Sequence, residues 1–226
     1  MSTLKVIFED NHLLVVDKPA LLATMGAKAG EDSLYLRAKS YIKKKYDKPG
    51  DVFIGVVSRL DSFVSGVVVL ARTSKAASRL SKQFREGSVV KKYWAIVPSN
   101  LPTPTGKLTD RLIKNEAQHR MMALAQNAAP VEGEKEARLS YETIASHETL
   151  SLIEIELETG RKHQIRVQLK NAGCPIIGDK KYDSEKHFKK GIALHSRELT
   201  IEHPTKKVAQ SFHSEPPKWW NVERFQ

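Results

Sequence analysis

One cysteine, Cys174, is all the thiol chemistry in this chain of 226 residues. A lone thiol cannot close an internal disulfide, so a disulfide-stapled secreted scaffold is excluded. No apolar run approaches the roughly 20 residues of a membrane span. The longest, such as Val67 to Ala71, fall far short, and the N-terminus has no charged head, apolar core and small-residue cleavage site. The chain has no Walker-type glycine loop and no Gly-x-Gly-x-x-Gly turn. His163, His187, His195, His203 and His213 show no pair at the short spacing of zinc ligands, so no metal site is expected. Internal repeats, heptads and low-complexity tracts are also missing. These absences leave a soluble protein in a reducing, cytoplasmic setting, with no membrane association.

What is abundant is positive charge. Lysine and arginine number 37 against 26 acidic residues, a formal charge of +11. A polyanion is drawn to such a surface and releases its counterions on binding, which makes nucleic acid the natural candidate partner. A hydrophobic content of 40% over this length supports a substantial core, and mixed sheet-and-helix folds of this size are routinely one domain. The expectation is a single domain over 1–226.

Strand-like runs cover Lys5 to Glu9 and Leu13 to Asp17, with Asp10-Asn11 as the turn between them. Ser33 can cap a helix with Leu34, Ala38, Tyr41 and Ile42 at helical spacing, and Lys43, Lys44 and Lys45 at its end complement the helix dipole. After the strand Val67 to Ala71, Thr73 or Ser74 caps a second helix, with Ala77, Leu80 and Phe84 inward and Gly87 as its stop. Val89 to Val97 is read as a strand carrying Tyr93. Residues 98–137 lack sustained periodicity. They form either a loop-rich excursion that contacts substrate or an ordinary pair of short strands.

A hairpin is expected from Ala137 to Ala145 and Ser151 to Glu158. Its second strand alternates Ile153, Ile155 and Leu157 with Glu154, Glu156 and Glu158, the pattern of a sheet with one solvated face. Lys162 to Ala172 is read as a helix that buries one stripe, Ile165, Leu169 and Ala172, and stops at Gly173. Arg166 then lies beside that stripe and needs a partner. Trp219 and Trp220 near the C-terminus fit a cap on the core edge better than a stacking platform for RNA bases.

The segment richest in chemistry is Ser58-Arg59-Leu60-Asp61-Ser62-Phe63-Val64-Ser65-Gly66, which runs into the apolar strand. An Arg-x-Asp pair alone is most often a surface ion pair worth little. It is joined here by Gly160-Arg161-Lys162-His163-Gln164-Ile165-Arg166, by Gly178-Asp179, by Leu194-His195-Ser196-Arg197 and by Lys91-Lys92-Tyr93-Trp94-Ala95. Ahead of them stands Ile7-Phe8-Glu9-Asp10-Asn11-His12-Leu13-Leu14-Val15-Val16-Asp17-Lys18-Pro19. In this order and spacing the segments resemble the RluA-type pseudouridine synthases over most of the chain. Three positions depart from the family's usual pattern: Ser58 for His, Val64 for Thr and Leu21 for Gly. If the missing His and Thr brace the loop around Asp61, other contacts must hold it here.

The resemblance implies an α+β pseudouridine synthase fold with a mixed, mostly antiparallel sheet, without the accessory N-terminal RNA-binding domain of many relatives. It implies isomerisation of uridine in structured RNA, in a ribosomal or transfer RNA stem-loop, with no cofactor and no obligatory protein partner. On this reading Asp61 is the catalytic carboxylate, Arg166 its ion-pair partner, and Tyr93 the aromatic that holds the base. Arg59 fills the space left by a flipped nucleotide, Arg161 and His163 contact RNA, and Ile165 and Leu194 floor the uracil pocket. The competing reading is a non-catalytic RNA-binding protein that keeps the fold. A glycoside hydrolase would need a second carboxylate with supporting context, and only Asp61 has one.

Overall fold

The computed structural model describes residues 4–26, 31–99 and 101–225. The chain forms two compact units, one of Met1–Lys91 with His195–Pro216, the other of Lys92–Leu194 with Pro217–Gln226.

In the first unit β1 (Lys5–Glu9), β2 (Leu13–Lys18), β4 (Ser65–Ala71) and β10 (Leu194–Glu202) lie side by side in that order. β11 (Ala209–His213) pairs with β10, and the two-residue β3 (Gly55–Val56) pairs with β4. All these pairings are antiparallel except that of β4 with β10. The apolar run in β2 has no polar alternation because both faces of the strand are covered. Leu13 and Val15 pack with Val67, Val69, Ala76 and Leu80, on the side of helix α2 (Ser74–Glu86). Leu14 and Val16 pack with Val68, Leu70, Leu34, Ala38 and Ile42, on the side of helix α1 (Leu34–Lys45). Successive side chains on a strand point to opposite faces, so one apolar run serves two helix layers.

Helix ends follow the sequence. The Ser33 side chain accepts from Leu36 N–H, and that of Thr73 from Ala76 N–H. Gly87 closes α2 at φ 74°, a conformation that costs glycine nothing. Ala76 and Gln83, with Leu80, are the buried positions of α2, while Ala77 and Phe84 are only partly covered. Ala77 and Phe84 pack against the core beside Leu80, as expected, and Ala76 and Gln83 extend the covered face.

The second unit is an antiparallel sheet in the order β5 (Val90–Pro98), β9 (Leu150–Leu157), β8 (Lys135–His147), β6 (Thr105–Asn115), β7 (Arg120–Ala123). Residues 98–137 thus hold two strands, the plainer of the two readings, and β6 is 11 residues long. Ile153, Ile155 and Leu157 are buried, while Glu156 and Glu158 are exposed, as the alternation required. Helix α3 (Gln164–Asn171) is shorter than the expected 162–172, and every residue from Gln164 to Leu169 is buried. The single-stripe expectation is corrected here. Polar residues on the other faces, Gln164, Arg166 and Gln168, are covered because each finds hydrogen-bond partners inside the unit. Trp220 is buried, and Trp219 and Trp220 both pack on Phe188, with ring centroids 5.1 and 5.5 Å away. The pair covers the core, as expected.

Candidate active site

Asp61 lies on the loop between β3 and β4, half-buried, with Arg59 exposed two residues before it and Phe63 exposed two residues after. Its carbonyl accepts from Val64 N–H at 3.1 Å, which closes a tight turn over Ser62 and Phe63. The loop after β2 braces this turn. Thr24 Oγ1 donates to the Leu60 carbonyl (2.8 Å) and accepts from Leu60 N–H (3.1 Å). Leu21 N–H donates to the Ser62 carbonyl at 2.7 Å. The fully buried Lys18 amine donates to the carbonyls of Leu22 (2.8 Å), Pro19 (3.0 Å) and Ser62 (3.4 Å).

These contacts supply the bracing that the Ser58 and Val64 departures called for. Three acceptors match the three N–H groups of an ammonium. Burial nevertheless pulls the amine down to about 7, against the opposing pull of the Asp61 and Asp17 carboxylates. Leu21 takes a φ of 66°, where a residue with a Cβ is strained, at the position where the resembled family carries glycine.

The exit of the loop is equally fixed. A Cβ on Gly66 would stand 2.2 Å from the Ser196 carbonyl oxygen, so only glycine permits the parallel approach of β4 to β10 there. Next to it, Ser65 Oγ is 2.8 Å from His195 Nδ1, and His195 Nε2 is 3.0 Å from the Ser214 carbonyl. A carbonyl only accepts, so Nε2 carries the hydrogen and Ser65 donates to Nδ1. Burial pushes this histidine down to about 4, so it is neutral at ordinary pH. His203 is committed too, donating to Asp10 and accepting from the Thr205 and Lys206 amides.

In the second unit α3 organises four of the residues singled out from sequence. His163 forms its N-cap at φ 54° and hydrogen-bonds Tyr182 Oη at 2.7 Å. Arg161, largely exposed, donates through Nε to the Glu136 carbonyl, and its own amide donates to Gln164 Oε1. Gln164 Nε2 reaches the Arg138 carbonyl, and Gln168 Nε2 reaches Leu108 O, Ala137 O and Asp110 Oδ2. Ile165 and Leu194 are each 4% exposed. Tyr93 is half-buried on β5 opposite Ile155 of β9.

Arg166 is 3% exposed and forms a two-pronged ion pair with Asp179, Nε to Oδ2 at 2.6 Å and Nη2 to Oδ1 at 2.7 Å. The Tyr182 ring centre lies 4.8 Å from its guanidinium carbon. Sequence reasoning foresaw that Arg166 needs a partner but did not name Asp179. Its signal was present in Gly178-Asp179, yet a contact across 13 positions and a change of element has no local pattern.

Solved pseudouridylate synthase domains share this architecture, which defines the class: an α+β protein of the pseudouridine synthase fold, its sheet mixed and mostly antiparallel. The human RNA pseudouridylate synthase domain containing 4 superposes with a TM-score of 0.81 at 22% identity, over 98% of this chain and 92% of its own. The sequence takes the assignment further, since the profile of the family described as RNA pseudouridylate synthase matches residues 12–171. The chain is 32% identical to ribosomal large subunit pseudouridine synthase D of Zymomonas mobilis, over 95% of this chain and 70% of that protein. It is also 32% identical to the dual-specificity RNA pseudouridine synthase RluA of Haemophilus influenzae, over 93% and 92%. The chain belongs to the RNA pseudouridylate synthase family, and its reaction is the isomerisation of uridine in RNA to pseudouridine.

Proposed function

We propose that Asp61 is the carboxylate that carries this isomerisation. The bond from ribose C1′ to uracil N1 breaks, the base turns, and C1′ bonds to C5. C5 loses its hydrogen and N1 gains one. Atoms and electrons balance without an oxidant or an energy source. A nucleotide stacked in RNA hides its glycosidic bond and must be extruded at a cost of a few kcal/mol. Arg59, exposed on the same loop as Asp61, is suited to fill the gap. Tyr93 offers a ring to hold the detached base and a hydroxyl to take the C5 proton. Ile165 and Leu194 would floor the base, and Arg161 and His163 would meet the backbone.

The pairing of Arg166 with Asp61 rests on the family resemblance. Such a cation favours an ionised carboxylate in a closed pocket. We further propose a ribosomal or transfer RNA stem-loop as substrate, one catalytic domain acting as a monomer without an obligatory partner, and a cytoplasmic location. Among the described residues no helix is long and apolar enough to cross a membrane.

One observation carries the reading: a half-buried carboxylate beside an exposed arginine, on a loop tied down by Lys18, Leu21 and Thr24. The test is pseudouridine mapping by carbodiimide labelling and primer extension on total RNA. Cells carrying the intact chain, a deletion, or Asp61→Asn are compared. Signals lost in both altered strains identify the target and the catalytic role together. A signal retained with Asp61→Asn removes Asp61 from the chemistry, and no change in any RNA favours a non-catalytic RNA-binding protein.

A further inference from the structure

We propose that Asp179, together with the ring of Tyr182, is a positioning device for Arg166 and sets the rate of the chemical step through it. The inference rests on the reading of Arg166 as a group that acts at the reacting carboxylate, and it adds two residues to which that reading gave no role.

The geometry is specific to orientation. Asp179 meets the Nε and Nη2 edge of the guanidinium in a fork-to-fork pair, which fixes rotation within the guanidinium plane. The guanidinium carbon lies 4.8 Å from the centre of the Tyr182 ring, a cation–π contact that opposes displacement of the group. The guanidinium is planar, so a pair that fixes Nε and Nη2 also fixes the direction of Nη1. Asp179 is itself immobile. It is 1% exposed, its amide donates to the Ile176 carbonyl at 3.0 Å, and its carbonyl accepts from Tyr182 N–H at 2.9 Å and Ser184 N–H at 3.1 Å. Tyr182 is 2% exposed, and its hydroxyl accepts from Met121 N–H on β7 and bonds His163 at the start of α3. One short turn, Asp179 to Tyr182, thus supplies both the carboxylate and the ring that meet the same arginine.

A buried ion pair is weak support for stability, because desolvation offsets the attraction. A buried leucine or methionine would serve packing as well. A flexible arginine would need only charge, whereas this one is held by a forked ion pair and an aromatic ring. Placement of that kind matters in a reaction, where a displacement of about 1 Å can cost on the order of 100-fold in rate.

The test uses the full chain and the stem-loop RNA identified by mapping, labelled with tritium at uracil C5, under single-turnover conditions with enzyme in excess. Rate reports the chemical step, and the active-site concentration from titration reports the folded fraction. Asp179→Asn is expected to lower the rate on the order of 100-fold with RNA affinity nearly unchanged. In an Arg166→Gln background it should lower the rate no further. Tyr182→Phe, which keeps the ring, should retain the rate, and Tyr182→Leu should lose it.

A fall in active-site concentration with an unchanged rate would make Asp179 merely structural and overturn the proposal. Equal slowing by Asp179→Asn with and without Arg166 would overturn it as well. Arg166→Gln at full rate would instead sink the reading of Arg166 itself, a separate failure.

Discussion

At the residue scale the chemistry of this protein depends on a few side chains whose surroundings differ sharply. Arg59 is exposed, and on the proposed reading it fills the gap left by an extruded base. Arg59→Ala should slow a duplexed substrate more than a flexible single strand carrying the same uridine, because only the former must be unstacked. Equal slowing of both, measured by tritium release, would assign Arg59 to general binding. His195 makes a second prediction. Burial holds it near 4 in the folded protein against an ordinary 6.5. Between those values the unfolded chain binds more protons, so stability present above about pH 6.5 is lost as pH falls towards 4. The slope is at most about 1.4 kcal/mol per pH unit for one proton. Denaturant unfolding from pH 7 to 4 should show this loss, and His195→Gln should flatten it. An unchanged acid limb in that variant would assign the loss to other groups.

At the element scale the loop after β2 shows how a departure from a family's pattern is absorbed. Leu21 occupies a left-handed position, φ 66°, and is 57% exposed, so its side chain gains little from burial while its backbone is strained. Leu21→Gly should therefore stabilise the protein by about 1 kcal/mol, or about 2–4 °C in melting temperature at this chain length. A lower melting temperature would show that the exposed leucine makes contacts worth more than the strain. Helix α3 teaches the opposite lesson. Its sequence reads as amphipathic, with Gln164 and Gln168 outside the apolar stripe and Arg166 beside it. They are buried because β6, β8 and the Asp179 turn supply acceptors for their N–H groups. Periodicity reports hydrophobicity, and a polar side chain whose partners lie 13 to 60 positions away carries no mark of being covered.

At the scale of the whole molecule, charge is the dominant quantity. A formal +11 predicts RNA binding that weakens steeply with salt. If six to ten phosphates are neutralised, affinity should fall about 10³- to 10⁵-fold between 50 and 200 mM salt. Filter binding across that range measures the slope. A flat response would mean that base contacts rather than the basic surface hold the RNA, contrary to the composition. The Asp61→Asn variant should show the same slope as the native chain, since a single carboxylate in a site contributes little to the field of the whole surface.

The sequence by itself determined the strands and helices with strong local periodicity, their caps at Ser33 and Thr73, the basic surface, the family, and Arg59, Asp61, Tyr93 and Arg166 as the residues to watch. Each of these is written in neighbouring residues or in an ordered set of motifs. Only the tertiary structure decided that Lys18 and Thr24 hold the Asp61 loop, that Ser65 and His195 lock its exit, and that Asp179 and Tyr182 hold Arg166. Those contacts join distant parts of the chain, and hydrogen-bond partnership depends on where folding delivers an acceptor, which no local spacing records.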